Sequence, residues 1–189
     1  SRREDELTTS QIKDIILQIK NMGIKHLIVS GGEPFLREDL FEILEFVKAN
    51  NIEMVDIITN GLLLNSDSIQ KLIRLKLNHI TISLDGLGET NNEIRGKGVF
   101  DEVEKNFDEL NYYKSKYKSS TPTVGINFTI MSENIEDILP MIEFARLKKC
   151  NIVAFQPVLF SNIKMFEKKK NSLWPSEESI NNLEETVEK

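Results

Sequence analysis

Cysteine is nearly absent: the 189 residues contain one, Cys150. A single thiol excludes an internal disulfide framework, and it equally excludes a cysteine-ligated zinc or iron-sulfur site built from these residues alone. Long apolar runs are missing too. No stretch approaches the roughly 20 consecutive apolar residues of a membrane span, and the opening Ser-Arg-Arg-Glu-Asp-Glu is too charged for a signal peptide. Positive charge is also in deficit, with Lys+Arg 24 against Asp+Glu 30 and a net charge of -6. The basic runs Lys114 to Lys118 and Lys168 to Lys170 are short, so a phosphate-binding surface is not expected. The Gly-x-Gly-x-x-Gly spacing of dinucleotide sites does not occur either. The expectation is a cytoplasmic protein with no membrane and no nucleic-acid partner, and its 40% hydrophobic content suffices for one globular core.

Apolar bursts begin at Leu27, Val55, Ile80, Val124 and Ile152, a rhythm of strand-helix units that implies a parallel sheet. The bursts read as apolar on both faces, which suits strands covered by helices and leaves no water-exposed edge. Between them apolar residues recur at helical spacing: Ile12, Ile15, Ile16 and Ile19; Leu40, Ile43, Leu44 and Val47; Phe100, Val103, Phe107 and Leu110. Shorter helices carry Ile69, Leu72 and Ile73, then Ile135, Ile138, Leu139 and Ile142, where Pro140 is expected to kink the helix or shift its start. A last helix spans Ser176 to Lys189. Gly86, Gly88, Gly96 and Gly98 place the longest loop, through Arg95, after the third strand. The order begins with a helix, whereas a helix in such a sheet normally follows a strand, so a strand is expected upstream of Ser1.

In parallel α/β folds ligands sit at the carboxyl ends of the strands. Those ends here are polar: Ser30-Gly31-Gly32-Glu33-Pro34, Thr59-Asn60-Gly61, Ser83-Leu84-Asp85-Gly86, Asn127-Phe128-Thr129 and Gln156-Pro157. The paired glycines let backbone groups approach a ligand with no Cβ in the way, and Pro34 stiffens the exit; an amino acid moiety fits such a turn. The residues alone leave alternatives open. Glu33 either caps the following helix or serves a ligand, Asp85 either organises the turn before Gly86 or serves a ligand, and Ser83 is equally explained by close strand packing. His26 and His79 each open a strand without an acidic or cysteine partner at ligand spacing and read as structural, as does the thiol of Cys150.

Gly31-Gly32-Glu33-Pro34, Thr59-Asn60-Gly61 and Ser83-Leu84-Asp85-Gly86, in this order and at these intervals, resemble the radical S-adenosylmethionine enzyme superfamily, and in flavour its members with an extra C-terminal cluster (SPASM-type) domain. The resemblance covers about Leu7 to Val158. It implies a single core domain over residues 1–189, an α/β fold forming a partial (β/α)6 TIM-like barrel, with residues 160–189 as a barrel-closing loop and C-terminal helix. It implies S-adenosylmethionine and a four-iron four-sulfur (4Fe-4S) cluster as cofactors, cleavage of the sulfonium to a 5'-deoxyadenosyl radical, and hydrogen abstraction from a substrate such as a peptide. An electron donor such as ferredoxin or flavodoxin is the implied partner. By the same resemblance the cofactor-binding residues are Gly31, Gly32, Glu33 and Pro34 around the methionine amino group, Thr59 and Asn60 on the next strand end, Ser83 and Asp85 on the third, Arg95 pairing with the methionine carboxylate, and Asn127 and Gln156 facing ribose or substrate.

The chain departs from the family at one point. The cluster is normally held by three cysteines spaced C-x-x-x-C-x-x-C after the first strand, and none is present. The first strand and the cluster loop are therefore expected upstream of Ser1, and these residues alone are expected to be inactive. The alternative is a degenerate barrel without a cluster that serves as a binding or partner domain.

Overall fold

The computed structural model describes residues 6–160 and 162–187. Its elements in chain order are α1 (Thr9–Asn21), β1 (His26–Val29), α2 (Leu40–Ala49), β2 (Met54–Thr59), α3 (Ser66–Arg74), β3 (His79–Ser83), α4 (Gly88–Arg95), α5 (Val99–Lys116), β4 (Thr123–Ile130), α6 (Ile138–Leu147), β5 (Ile152–Pro157), α7 (Ile163–Leu173) and α8 (Glu177–Val187). Short 3-10 turns at Pro34–Leu36 and Ile135–Asp137 precede α2 and α6. The expected final helix is α8, and residues 188 and 189 lie outside the described residues. The chain divides into two compact units, one from the residues up to Ile82 together with Asn106–Val124, the other from Ser83–Lys105 and Gly125 onward.

In the first unit, β1 pairs in parallel with β2, Leu27 opposite Val55, and β2 with β3, Ile57 opposite Ile80. Val47 of α2, Val55 and Ile57 of β2, Ile69 and Leu72 of α3 and Ile80 of β3 are fully buried, each such side chain contributing about 1.5–3 kcal/mol. Helix starts are specified locally. Thr8 and Gln11 form a reciprocal capping box, and Asn65 accepts the backbone N–H groups of Asp67 and Ser68 at the start of α3. In the second unit β4 pairs in parallel with β5, Phe128 opposite Phe155 with ring centroids 5.3 Å apart. The Phe100 and Phe144 rings pack at 5.7 Å, with Val103, Ile126 and Met141 buried as well.

Two expectations require correction. The strands are not covered on both faces: β2 alternates buried Val55, Ile57 and Thr59 with more open Met54, Asp56 and Ile58, while Ile28 of β1 is 53% and Ile152 of β5 56% exposed. Aliphatic neighbours masked this alternation, since Asp56, His79 and Thr81 occupy one face and the helices pack the other. Nor is the segment after β3 one long loop. Residues Gly88–Arg95 form α4, whose sequence GETNNEIR has too few apolar residues to show a stripe, and Gly96 and Gly98, both at positive φ, make the short link to α5. Pro140 behaves as expected: it is the third residue of α6, among the first-turn positions whose N–H groups have no helical acceptor, and the helix starts at Ile138.

Candidate functional site

The polar strand ends fall into a cluster in each unit. In the first, the chain leaves β1 through Gly31 and Gly32, both exposed. No atom lies within 4 Å of where a Cβ would stand at either residue, so their backbone faces open space. The next residue, Glu33, caps the Pro34–Leu36 turn and also reaches the end of β2. Its Oε1 accepts the Phe35 N–H at 3.1 Å and the Thr59 hydroxyl at 2.7 Å, and its Oε2 accepts the Asn60 N–H at 2.7 Å. Thr59 Oγ1 in turn accepts the Gly61 N–H, and the buried Asn106 donates to the Gly61 carbonyl at 2.9 Å. Glu33 is thus occupied in joining two strand-end loops, with Pro34 buried beside it. The backbone of Gly31 and Gly32 is the part left open.

The second unit builds its cluster around Asp85, two residues past β3 and 5% exposed. Its Oδ1 accepts the Thr129 N–H at 2.7 Å, and its Oδ2 lies 2.6 Å from Arg95 Nη2 at the end of α4. The Asp85 N–H donates to Asn91 Oδ1 at 2.9 Å. Its carbonyl accepts from Asn134 Nδ2 at 2.8 Å, and the same amide donates to the Thr129 carbonyl at 2.8 Å. Leu84 donates to the Asn127 carbonyl, and Asp137 Oδ2 accepts the Leu87 N–H at 2.8 Å. Gly86 is required here because a Cβ would come 2.9 Å from both Asp137 Oδ2 and Thr90 Cγ2. Two donors, Arg95 Nε and Asn91 Nδ2, are buried and have no partner among the described residues. Ser83 and Asn127 are half-buried, and Gln156 is exposed opposite Thr129.

Of the expected site residues, Glu33, Thr59 and Asn60 are joined directly, and so are Asp85 and Arg95. Asn91, Asn134 and Asp137 were missed, because nothing in their spacing marks them: each lies among other polar residues at a turn or on a helix without a stripe. Of the two histidines, His26 has an acidic partner that its sequence neighbourhood does not show. His26 Nε2 is 2.6 Å from Asp56 Oδ2, an acidic partner thirty positions away that only strand pairing brings near. His79 Nδ1 meets Thr123 Oγ1 at 2.7 Å, and burial pushes its pKa below the usual value of 6.5, against the opposing pull of the Asp56 carboxylate. Lys48 donates to Asn78 Oδ1 at 2.7 Å, and burial lowers its pKa also, again against Asp56. No group of three or more His, Cys, Asp or Glu side chains among the described residues is arranged to hold a metal ion.

Comparison with known proteins gives these clusters a family. The chain is 31% identical over 159 residues to the Fe-coproporphyrin III synthase of Methanosarcina barkeri, covering 84% of this chain and 38% of that protein. It is 35% identical over 147 residues to a probable GTP 3',8-cyclase of Methanocaldococcus jannaschii, covering 77% and 47%. It therefore spans less than half the length of these relatives. The Streptococcus suis protein SuiB, solved with S-adenosylmethionine and separately with the precursor peptide SuiA, shares the fold: the S-adenosylmethionine complex superposes with a TM-score of 0.75 at 18% identity, covering 99% of this chain and 41% of SuiB. The expected α/β fold with parallel strands is borne out by that likeness. The family model of the Radical SAM superfamily matches residues 1–145, across both clusters, and the chain belongs to that superfamily.

Proposed function

We propose that this chain is the S-adenosylmethionine-binding core of a radical enzyme. The observation that supports this most directly is the division of labour at the strand ends: residues that could bind are held by others that cannot. In the first unit Glu33, Thr59 and Asn60 are engaged with one another, with Pro34 packed beneath them. The exposed Gly31 and Gly32 present backbone groups that suit an ammonium and an amino acid backbone. In the second unit Arg95 carries a guanidinium anchored at Nη2 and an unpartnered buried Nε, a donor set suited to a carboxylate. Ser83, Asn127 and Gln156 supply further hydroxyl and amide groups for ribose or substrate. When bound, S-adenosylmethionine supplies the radical chemistry, and the protein's part is to bind, orient and shield.

The residues present do not fit a 4Fe-4S cluster. Such a cluster needs several thiolates, and the chain has Cys150 alone, on the approach to β5. No step through the cluster is assigned to these residues, and by themselves they are proposed to be inactive. In the complete enzyme the reductant is an electron donor of the ferredoxin or flavodoxin type and the setting cytoplasmic; no described helix is long and apolar enough to cross a membrane. A peptide is the substrate class favoured by the likeness to SuiB. The relatives named for a porphyrin and for GTP support a core compatible with several substrate classes.

The test is anaerobic incubation of the iron-reconstituted full-length protein with S-adenosylmethionine and a low-potential reductant. Release of 5'-deoxyadenosine, lost on Arg95→Ala, is the expected result. A full-length protein that binds no iron yet still binds S-adenosylmethionine or a protein partner would instead establish the degenerate, non-catalytic barrel.

A further inference from the structure

An ionised carboxylate has two oxygens with which to accept. At Asp85 each is engaged inside the protein, Oδ1 by the Thr129 N–H and Oδ2 by Arg95 Nη2, and at 7% exposure the side chain offers a ligand little access to the remaining lone pairs. Its backbone is equally committed, the N–H to Asn91 and the carbonyl to Asn134. Asn134, 1% exposed, in turn uses its whole amide: Nδ2 donates to the Asp85 and Thr129 carbonyls, and Oδ1 accepts the Met131 N–H at 2.7 Å. One side chain, 49 positions from Asp85, thereby ties Asp85 to Thr129 near the end of β4. What the assembly holds is one corner of a guanidinium, on a side chain still 24% exposed.

We infer that Asp85 is a positioning residue and does not touch the cofactor: it aims Arg95 at the methionine carboxylate, and Asn134 locks Asp85 in the orientation that does so. The inference rests on the carboxylate-binding role given to Arg95 above. A long arginine loses rotamer freedom when it grips a ligand, and fixing one nitrogen beforehand removes part of that cost from binding.

Paired ligands test this in the full-length holoenzyme: S-adenosylmethionine and its decarboxylated analogue, which has nothing for Arg95 to grip. Equilibrium affinities are measured for the wild type, Arg95→Ala, Asp85→Asn and the double variant, with thermal melting as the check on folding. Asp85→Asn is expected to weaken S-adenosylmethionine about tenfold, in keeping with loss of a charge-assisted hydrogen bond, and to leave the analogue's affinity unchanged. The double variant is expected to bind no more weakly than Arg95→Ala alone, because Asp85 acts only through Arg95. Should Asp85→Asn fail to fold, Asn134→Asp, which keeps the Oδ1 acceptor and loses both donors, is put through the same ligand comparison. Equal weakening of both ligands by Asp85→Asn, or additivity in the double variant, would overturn the inference and make Asp85 a direct contact or a general scaffold. If Arg95→Ala itself fails to distinguish the two ligands, the role of Arg95 falls, and the inference with it; that outcome is recognisable because it appears before Asp85 is altered.

Discussion

Glu33 Oε2 accepts the backbone N–H of Asn60 at 2.7 Å, so the loop leaving β1 is fastened to the loop leaving β2 by a single carboxylate. The other oxygen holds Thr59 and Phe35, leaving three donors converging on one side chain that is itself half-buried.

Glu33→Gln is therefore a harsher change than its shape suggests. The amide oxygen can replace Oε1, but the NH2 group would then face the Asn60 N–H, donor against donor, and the half-buried N–H would lose its acceptor. A destabilisation of about 2 kcal/mol is expected, read as a lower urea midpoint with an unchanged m-value. A variant as stable as the wild type would show that water replaces the carboxylate at Asn60.

Gly32→Ala should separate binding from stability. The position has open space where a Cβ would stand, and its backbone is not in the left-handed region, so the melting temperature should not fall. The added methyl would occupy the side on which the backbone is proposed to meet the methionine moiety, and S-adenosylmethionine affinity should drop. Unchanged affinity in isothermal titration would remove Gly32 from the site.

Gly86→Ala predicts the opposite pattern. Its Cβ would lie 2.9 Å from Asp137 Oδ2, which accepts the Leu87 N–H, and 2.9 Å from Thr90 Cγ2, so the turn must shift. Overpacking of this kind costs about 1–3 kcal/mol, seen as a lowered melting temperature of the protein without any ligand.

Much of this architecture was legible because it is repetitive. Helical stripes such as Leu40, Ile43, Leu44 and Val47 register burial directly in the sequence, and all four are buried. The glycine and proline punctuation likewise marks where strands must end. Other features belong to pairings that no local pattern encodes. The Asp85–Arg95 ion pair depends on α4 forming from a segment with almost no apolar periodicity, and Asn134 stands 49 positions along the chain from the Asp85 carbonyl to which it donates. The two-sided cover expected of the strands failed for a related reason. In short bursts such as Val55-Asp-Ile-Ile-Thr59 one polar residue among aliphatics looks incidental, yet at period two it defines a face.

That face carries the last prediction. Asp56 and His79 are opposite one another in the β2–β3 register, with His26 bonded to Asp56, and Lys48 and Thr123 close to the same groups. Burial disfavours the imidazolium of His79 more than Asp56 restores it, so its folded pKa lies below the 6.5 of the unfolded chain. Between those two values the unfolded state binds more protons than the folded one, and stability rises with pH there. The contribution from His79 is thus complete above pH 6.5 and is lost as pH falls through 6.5 towards the depressed folded value. His79→Gln removes this titration and leaves every other acid-sensitive group in place. Urea unfolding at pH 7.5 and 5.5 should show a smaller loss of stability on acidification in the variant than in the wild type. Equal losses in the two proteins would mean that the imidazole is hydrated well enough to take up its proton without disturbing the strand beneath it.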